Sequence, residues 1–347
     1  MAVRCKAIIQ QPFTARPQVV LLTETNAESE TFSVRAMYKP NRPTKLLSLV
    51  RQLVILPFCL VLYAAISRST TATRSDTFRG SAAMAYTRHA VSLGERPSGS
   101  DAIAVLRKWI ISELKPLGGE LTVDSFNGET PAGPVPMANI ILRFPGTSGK
   151  AVAITGHYDT KKIPMIHFVG ANDAGSSTGF LLEFAKVAAG MKHKDDLYIV
   201  FFDGEEAVRA EWADNDNTYG SRHLTAKWLA DGTLGRIKAL INIDMIGDKD
   251  LDIANDENSS QSLRTMMWQI AAKLGYSKYF RRDPGAIDDD HKPFVDAGVN
   301  AIDIIDLDYG PNGSYWHTAQ DTLDKLSVHS FQIVGDVVTE LVSELEK

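Results

Sequence analysis

At 347 residues the chain is long enough for one large domain or two ordinary ones, and 44% hydrophobic with 23% charged residues describes a folded globular protein rather than a disordered one. The net charge of −5 is unevenly spread: residues 1–75 carry ten Lys/Arg against three Asp/Glu, which leaves 27 against 39 for the rest. So acidic a body argues against nucleic acid as partner. The only cysteines, Cys5 and Cys59, leave the body no disulfide and no thiol chemistry, so any metal there must be held by His, Asp and Glu.

The first element is an unbroken apolar run at residues 53–66, preceded by Lys39, Arg42, Lys45 and Arg51. It is shorter than the roughly 20 residues that span a bilayer, and it has the basic flank and length of a signal-peptide core. Ala65-Ile66-Ser67 offers small residues for cleavage, and Met37 sits where such a leader would start. Residues 1–75 are therefore expected to be a basic leader, with any membrane contact confined to residues 46–66. The expected location is secreted or periplasmic, with anchoring through residues 53–66 as the alternative to cleavage.

Residues 76–347 alternate between strand-like and helix-like segments. Strands are expected at 121–126, 139–144, 151–155, 197–202, 239–243 and 301–305, and helices at 101–114, 176–189, 221–230, 259–274 and 322–345. Segments 127–136 and 283–289 read as loops from their Gly, Pro and Asp content. Several strands are continuously apolar, as expected where helices cover both faces of a sheet. The pattern is that of one α/β domain.

Acid and imidazole groups gather after these strands. His157 and Asp159 follow one, Asp203, Glu205 and Glu206 the next, Asp244 ends a third, and His317 lies beyond the last. Ligands of open α/β sheets collect at the carboxyl ends of strands, so one shared site is expected. His157, Asp173, Glu206, Asp244 and His317 have zinc-ligand chemistry, and a carboxylate such as Asp173 can bridge two metals. Asp159, two residues from His157, can accept the second imidazole proton and orient the ring. Of the neighbours Glu205 and Glu206, one can bind metal while the other shuttles protons.

Each signal has an ordinary reading beside it. Asp-Gly-Glu-Glu alone is usually a solvated turn. His89, His167, His193, His223 and His329 read as satisfied polar residues, and Trp109, Trp228 and Trp268 as core. Trp212 and Trp316 sit in expected loops, the latter beside a candidate ligand, and suit the wall of a substrate pocket. Of Asp288, Asp289 and Asp290, at least one should face solvent, because three buried carboxylates repel.

From about residue 85 to the C-terminus the chain resembles the zinc-dependent aminopeptidase superfamily, metallopeptidase family 28, and within it the glutaminyl-peptide cyclotransferases. The resemblance rests on Gly156-His157-Tyr158-Asp159-Thr160-Lys161, Phe168-Val169-Gly170-Ala171-Asn172-Asp173 and Phe201-Phe202-Asp203-Gly204-Glu205-Glu206-Ala207. It continues through Tyr219-Gly220-Ser221-Arg222-His223-Leu224, Asp289-Asp290-His291 with Pro293-Phe294, and Trp316-His317-Thr318. It implies a three-layer αβα sandwich with a mixed, mostly parallel sheet and a zinc site at the C-terminal ends of the strands. It makes Asp173, Glu206 and His317 zinc ligands and Glu205 the proton shuttle, with His157 and Asp244 serving a second metal in aminopeptidases. A cyclase would use one zinc and an aminopeptidase two.

Trp212, Asp289 and Trp316 lean toward the cyclase, in which Asp244 and Asp289 support proton transfer and Trp212, Trp316, Asp288 and Asp303 shape the substrate pocket. The chain departs from animal cyclases at four places. Asp288 replaces an amide, Asp303 replaces a His, Gly156 and Thr178 replace a cysteine pair, and the stretch from Glu206 to Trp212 is one residue longer. The implied substrate is the N-terminus of a peptide or protein, cyclised by a cyclase or hydrolysed by an aminopeptidase with Glu205 as base. A non-catalytic ectodomain of the same fold is the third reading, and it predicts missing ligands.

Overall fold

The apolar runs become strands β1 (Glu120–Thr130), β2 (Gly133–Phe144), β3 (Ala151–His157), β4 (Asp196–Phe202), β5 (Ile237–Asp244), β6 (Ile253–Asp256), β7 (Phe280–Gly285) and β8 (Ala301–Ile305). Six of them form one sheet in the order β1-β2-β4-β3-β5-β8, while β6 and β7 pair separately. The β1–β2 and β2–β4 pairs are antiparallel, and β4–β3, β3–β5 and β5–β8 are parallel. The helices are α1 (Gly80–Ser92), α2 (Asp101–Leu114), α3 (Gly175–Ala188), α4 (Tyr219–Asp231), α5 (Gln261–Lys273), α6 (Lys292–Asp296) and α7 (Val328–Leu345). This computed structural model describes residues 77–213 and 215–347. The expected leader lies outside the described residues, among which no helix is long and apolar enough to cross a membrane.

Alternate side chains along each strand enter two separate cores. Val152, Ile154, Ile241, Ile243 and Ile302 pack with α1, α2, α3, α5 and α7 on one face. Ala151, Ala153, Leu240 and Ala301 pack with Leu224 and Trp228 of α4 and Phe294 of α6 on the other. Burial on both faces is why these strands read as continuous apolar runs. The topology requires the same arrangement. From β3 the chain steps one way to β4, then back across β3 to β5, and right-handed crossovers in opposite directions must use opposite faces. Hence α3 and α4 lie on opposite sides, and the fold is the expected three-layer sandwich.

Three expectations need correction. Residues 127–136, read as a loop, are the end of a hairpin whose register runs out to Thr130↔Gly133. Pro134 and Pro136 are tolerated there because β4 pairs with β2 only from Ile140 onward, leaving one side of the hairpin free. The loop read at 283–289 begins inside β7. The last helix starts at Val328 rather than 322, because Leu326 bridges to Asp248 and the Ser327 N–H donates to Gly247 O at 2.8 Å. Helix α1 was not anticipated. It packs on α3 at Gly179, where a Cβ would lie 2.1 Å from Thr87 Oγ1, so only glycine permits the approach.

Candidate active site

The carboxyl ends of β3 and β5 lie side by side, with Thr155 paired to Asn242 two residues below their tips. Those tips are His157 and Asp244. The chain leaves β3 toward β4 and leaves β5 toward β8, so the two strand ends open a crevice at a topological switch point. After β4 the chain turns at Gly204 (φ 76°), where a Cβ would also lie 2.5 Å from Met137 Sδ, and this turn delivers Glu205 and Glu206. Asp173 lies just ahead of α3. His317 comes from the loop after β8 and has a left-handed backbone (φ 52°), a costly conformation for a non-glycine residue and one that clusters at functional sites.

Asp173 is the hub. Its Oδ1 lies 3.3 Å from His157 Nε2 and its Oδ2 lies 3.2 Å from His317 Nε2. His157 Nε2 also lies 3.1 Å from Asp244 Oδ1, and His317 Nε2 lies 3.3 Å from Glu206 Oε1. Two donor groups result, His157/Asp173/Asp244 and Asp173/Glu206/His317, each with ligand atoms within 4.8 Å of one another. Tetrahedral ligands held about 2.0–2.1 Å from a zinc ion stand roughly 3.3 Å apart, so these spacings and this donor chemistry fit the metal.

The candidate ligands are held by residues that are themselves buried. Asp321 accepts the N–H groups of Asn172 (2.8 Å) and Asp173 (3.2 Å) and the Tyr309 hydroxyl (2.7 Å). Asn172 ties this turn to the chain after β5, donating to Met245 O at 3.0 Å and accepting from Gly247 N–H at 2.8 Å. The fully buried Arg96 donates to Val169 O and Gly170 O, fixing the approach to Asp173. Glu206 Oε1 accepts the Lys161 N–H at 3.1 Å, with Lys161 Nζ 3.5 Å from Oε2. Asp203 receives Arg107, Ser98, Tyr158 and the Ala138 N–H, anchoring the end of β4.

Sequence reading missed Asp321, Asn172, Arg96 and Lys161 as supports. Asn172 and Lys161 lie inside the quoted motifs, whereas Asp321 and Arg96 carry no local signal. Asp159 does more than was expected of it. Its carboxylate is the one nearest His157 Nδ1, at 3.6 Å, and it also accepts the Glu205 N–H (3.1 Å) and Glu206 N–H (3.3 Å). It therefore positions the glutamate pair while standing beside the imidazole.

Above these candidate ligands lies a cavity of about 240 Å³, lined by Asp173, Glu205, Asp244, Asp288, Asp289 and His317, with Trp212 and Trp316 as walls. Glu205 faces this cavity, whereas Glu206 lines a separate cleft with Pro97, Ser98 and Asp159. Trp316 is 42% exposed and stacks on His317 at 4.3 Å. Asp288 is exposed, while Asp289 and Asp290 are buried. Asp303, expected in the pocket wall, does not line the cavity. It is buried within β8, accepting from Asn242 Nδ2 at 3.1 Å, with His291 Nδ1 at 3.9 Å. It shares a face of β8 with Ile305, which does line the cavity, but sits two residues below the strand tip, one layer beneath the crevice.

Burial dominates the electrostatics. It pushes Glu205 well above the usual carboxylate range; the His157 charge opposes this, and Glu206, Asp289 and Asp290 add to it. Asp244 is pushed up to about 7, by burial first, with His157 opposing. Burial would raise Asp173 too, but hydrogen bonds from His157 and His317 outweigh it and hold the carboxyl well below its ordinary value. His317 rises to about 10 because Asp173 and Glu206 outweigh its burial. In the metal-free protein the imidazoles supply the positive charge that a metal would bring.

Larger cavities exist without such chemistry. One of about 530 Å³ beside α5 is lined by Arg264, Trp268 and Gln269 and includes no His or carboxylate. The five histidines read as ordinary have ordinary partners, such as Ala188 O for His193 (2.9 Å) and Tyr279 OH for His329 (3.0 Å).

Residues 139–342 match Peptidase family M28. The chain is 31% identical to a glutaminyl-peptide cyclotransferase of Drosophila melanogaster over 252 residues, covering 65% of this chain and 70% of that protein. Its fold is similar to the crystal structure of an Acidobacteriales bacterium glutaminyl cyclase, with a TM-score of 0.75, 41% identity, and coverage of 81% of this chain and 99% of that one. It is also similar to a Zn-dependent exopeptidase from Parabacteroides distasonis, with a TM-score of 0.68, 27% identity, and coverage of 77% and 98%. The chain belongs to peptidase family M28 and is an enzyme of the group that holds glutaminyl cyclases and zinc exopeptidases.

Proposed function

We propose that the chain is a zinc-dependent glutaminyl-peptide cyclotransferase that converts N-terminal Gln of a peptide or protein to pyroglutamate and releases ammonia. The observation that carries this reading is the lining of the 240 Å³ cavity. Glu205, Asp244 and Asp289 converge there between Trp212 and Trp316, a space suited to one amine-bearing residue rather than an extended chain. The 41% identity to a bacterial glutaminyl cyclase supports it.

In this reading Asp173, Glu206 and His317 hold the zinc, which supplies Lewis acidity to the side-chain carbonyl of the substrate Gln. Trp212 and Trp316 pack against that side chain and exclude water. The α-amine nitrogen attacks the side-chain amide carbon; the new C–N bond closes the ring and the bond to the amide nitrogen breaks. Glu205, raised by burial and facing the cavity, takes the proton from the α-amine and passes it to the departing ammonia. Asp244 and Asp289 accept hydrogen bonds from the amine and hold it in line. Residues 1–75 act as an export leader for the catalytic part 76–347.

A second reading, a zinc aminopeptidase with two metals, is favoured by one observation: Asp173 is shared by two complete donor groups. The non-catalytic reading loses its basis, since no ligand of either group is missing. A Gln-initiated peptide and an aminoacyl amide offered to the purified body distinguish the two activities. Cyclisation gives one ammonia per pyroglutamyl product, whereas release of free amino acid from both substrates without a pyroglutamyl product sinks the cyclase reading.

A further inference from the structure

A second cavity, of about 390 Å³, adjoins the first and shares Trp212, Asp288 and Asp289 with it; its far side includes Asn217, Arg222 and Lys292. Asp289 is 3% exposed, and its Oδ2 has no hydrogen-bond partner, although the residue lines both spaces. A buried carboxylate oxygen left open at a cavity wall calls for a donor from a ligand, and the proposed reaction supplies one in the α-amine, which places the peptide N-terminus at the junction of the two spaces.

The charges around the trough do not cancel evenly. Arg222 directs its guanidinium to the carbonyls of Asn215 and Asn217, and Lys292 pairs with Asp296 one turn on. Asp288 accepts only from the Asn258 amide at 3.1 Å, and Asp289 only from the Asp290 N–H. Among the described residues, these two carboxylates have no cationic partner. Both residues line both spaces, so a peptide whose first residue fills the inner cavity and whose second enters the trough runs past them.

We infer that this trough is a subsite for the second residue of the substrate and that Asp288 selects a cationic side chain, Lys or Arg, at that position. The inference rests on the reading that a peptide N-terminus enters the inner cavity. It makes Asp288 a specificity-determining residue. An incompletely desolvated ion pair gives a preference of roughly three- to five-fold over a neutral residue and disfavours an acidic one.

The test uses peptides beginning Gln-Lys, Gln-Ala and Gln-Glu, otherwise identical, bound to the zinc-loaded Glu205→Gln protein so that they are not consumed. Calorimetric Kd values should rank Lys tighter than Ala and Ala tighter than Glu. The Lys/Glu ratio should shrink in added salt, and it should collapse toward one when Asp288→Asn is introduced. Equal affinities, a preference for Glu, or a ratio untouched by Asp288→Asn overturns the inference. Ammonia release from the same peptides by the wild-type enzyme is scored separately. Its absence counts against cyclisation and leaves the binding ratio readable.

Discussion

The floor and the walls of the site are built differently. The floor consists of strand tips and a helix approach: His157, Asp173, Glu206 and Asp244 are all buried, and the turns that carry Asp173 and Glu206 are pinned by the buried side chains of Asp321, Asn172 and Asp159. The walls stand on loops, with Trp316 at 42% exposure and Trp212 between the glutamate turn and α4. A rigid floor suits a metal, whose ligands tolerate little displacement, and loop walls suit substrate choice. Candidate metal ligands and substrate walls are thus carried largely by different parts of the fold and meet at one place, where His317 stands beside Trp316 on the same loop.

Several perturbations act on one region and not the other. Stripping the metal with a chelator is expected to abolish turnover and lower the Tm, with both restored by zinc; a Tm that does not respond would mean the floor carries no metal. Asp321→Asn, which cannot accept both the Asn172 and Asp173 amides, should weaken zinc by about 10- to 100-fold in a competition titration. Zinc affinity should also rise with pH. His317 holds its proton up to about 10 in the metal-free protein, so binding zinc must displace it. The apparent affinity therefore climbs about tenfold per pH unit per proton displaced, from neutral toward that value, with protons released in calorimetry. A flat profile would contradict this assignment. Trp212→Ala touches only the wall, and it is expected to raise KM by roughly five- to tenfold while zinc affinity stays at the wild-type value.

The sequence made the floor legible and the supports illegible, for physical reasons. Strands buried on both faces announce themselves as continuous apolar runs, and charged residues at their ends stand out against that background. Asp321 had no such contrast. Its partners Asn172 and Asp173 lie 149 and 148 residues away, and a side chain bonded to distant backbone leaves no periodic trace. Arg96 was hidden for the same reason, since it reaches Val169 and Gly170 across 73 and 74 residues. The hairpin tip at 127–136 was concealed by its Gly and Pro residues, which mark loops unless one side of the strand is free. Asp303 was expected in the pocket wall, but sequence does not say how far below a strand's tip the crevice reaches, and Asp303 lies two residues below Ile305, which lines it.

In the proposed reaction the two adjacent glutamates divide the work, Glu206 holding metal and Glu205 moving protons. Zinc content and affinity, measured side by side with turnover for Glu205→Gln and Glu206→Gln, test it directly. Glu205→Gln is expected to keep wild-type zinc while losing about 10²- to 10⁴-fold in kcat, and Glu206→Gln to lose zinc affinity. A Glu205→Gln enzyme that stays fully active, or a Glu206→Gln protein that binds zinc as tightly as the wild type, would contradict it.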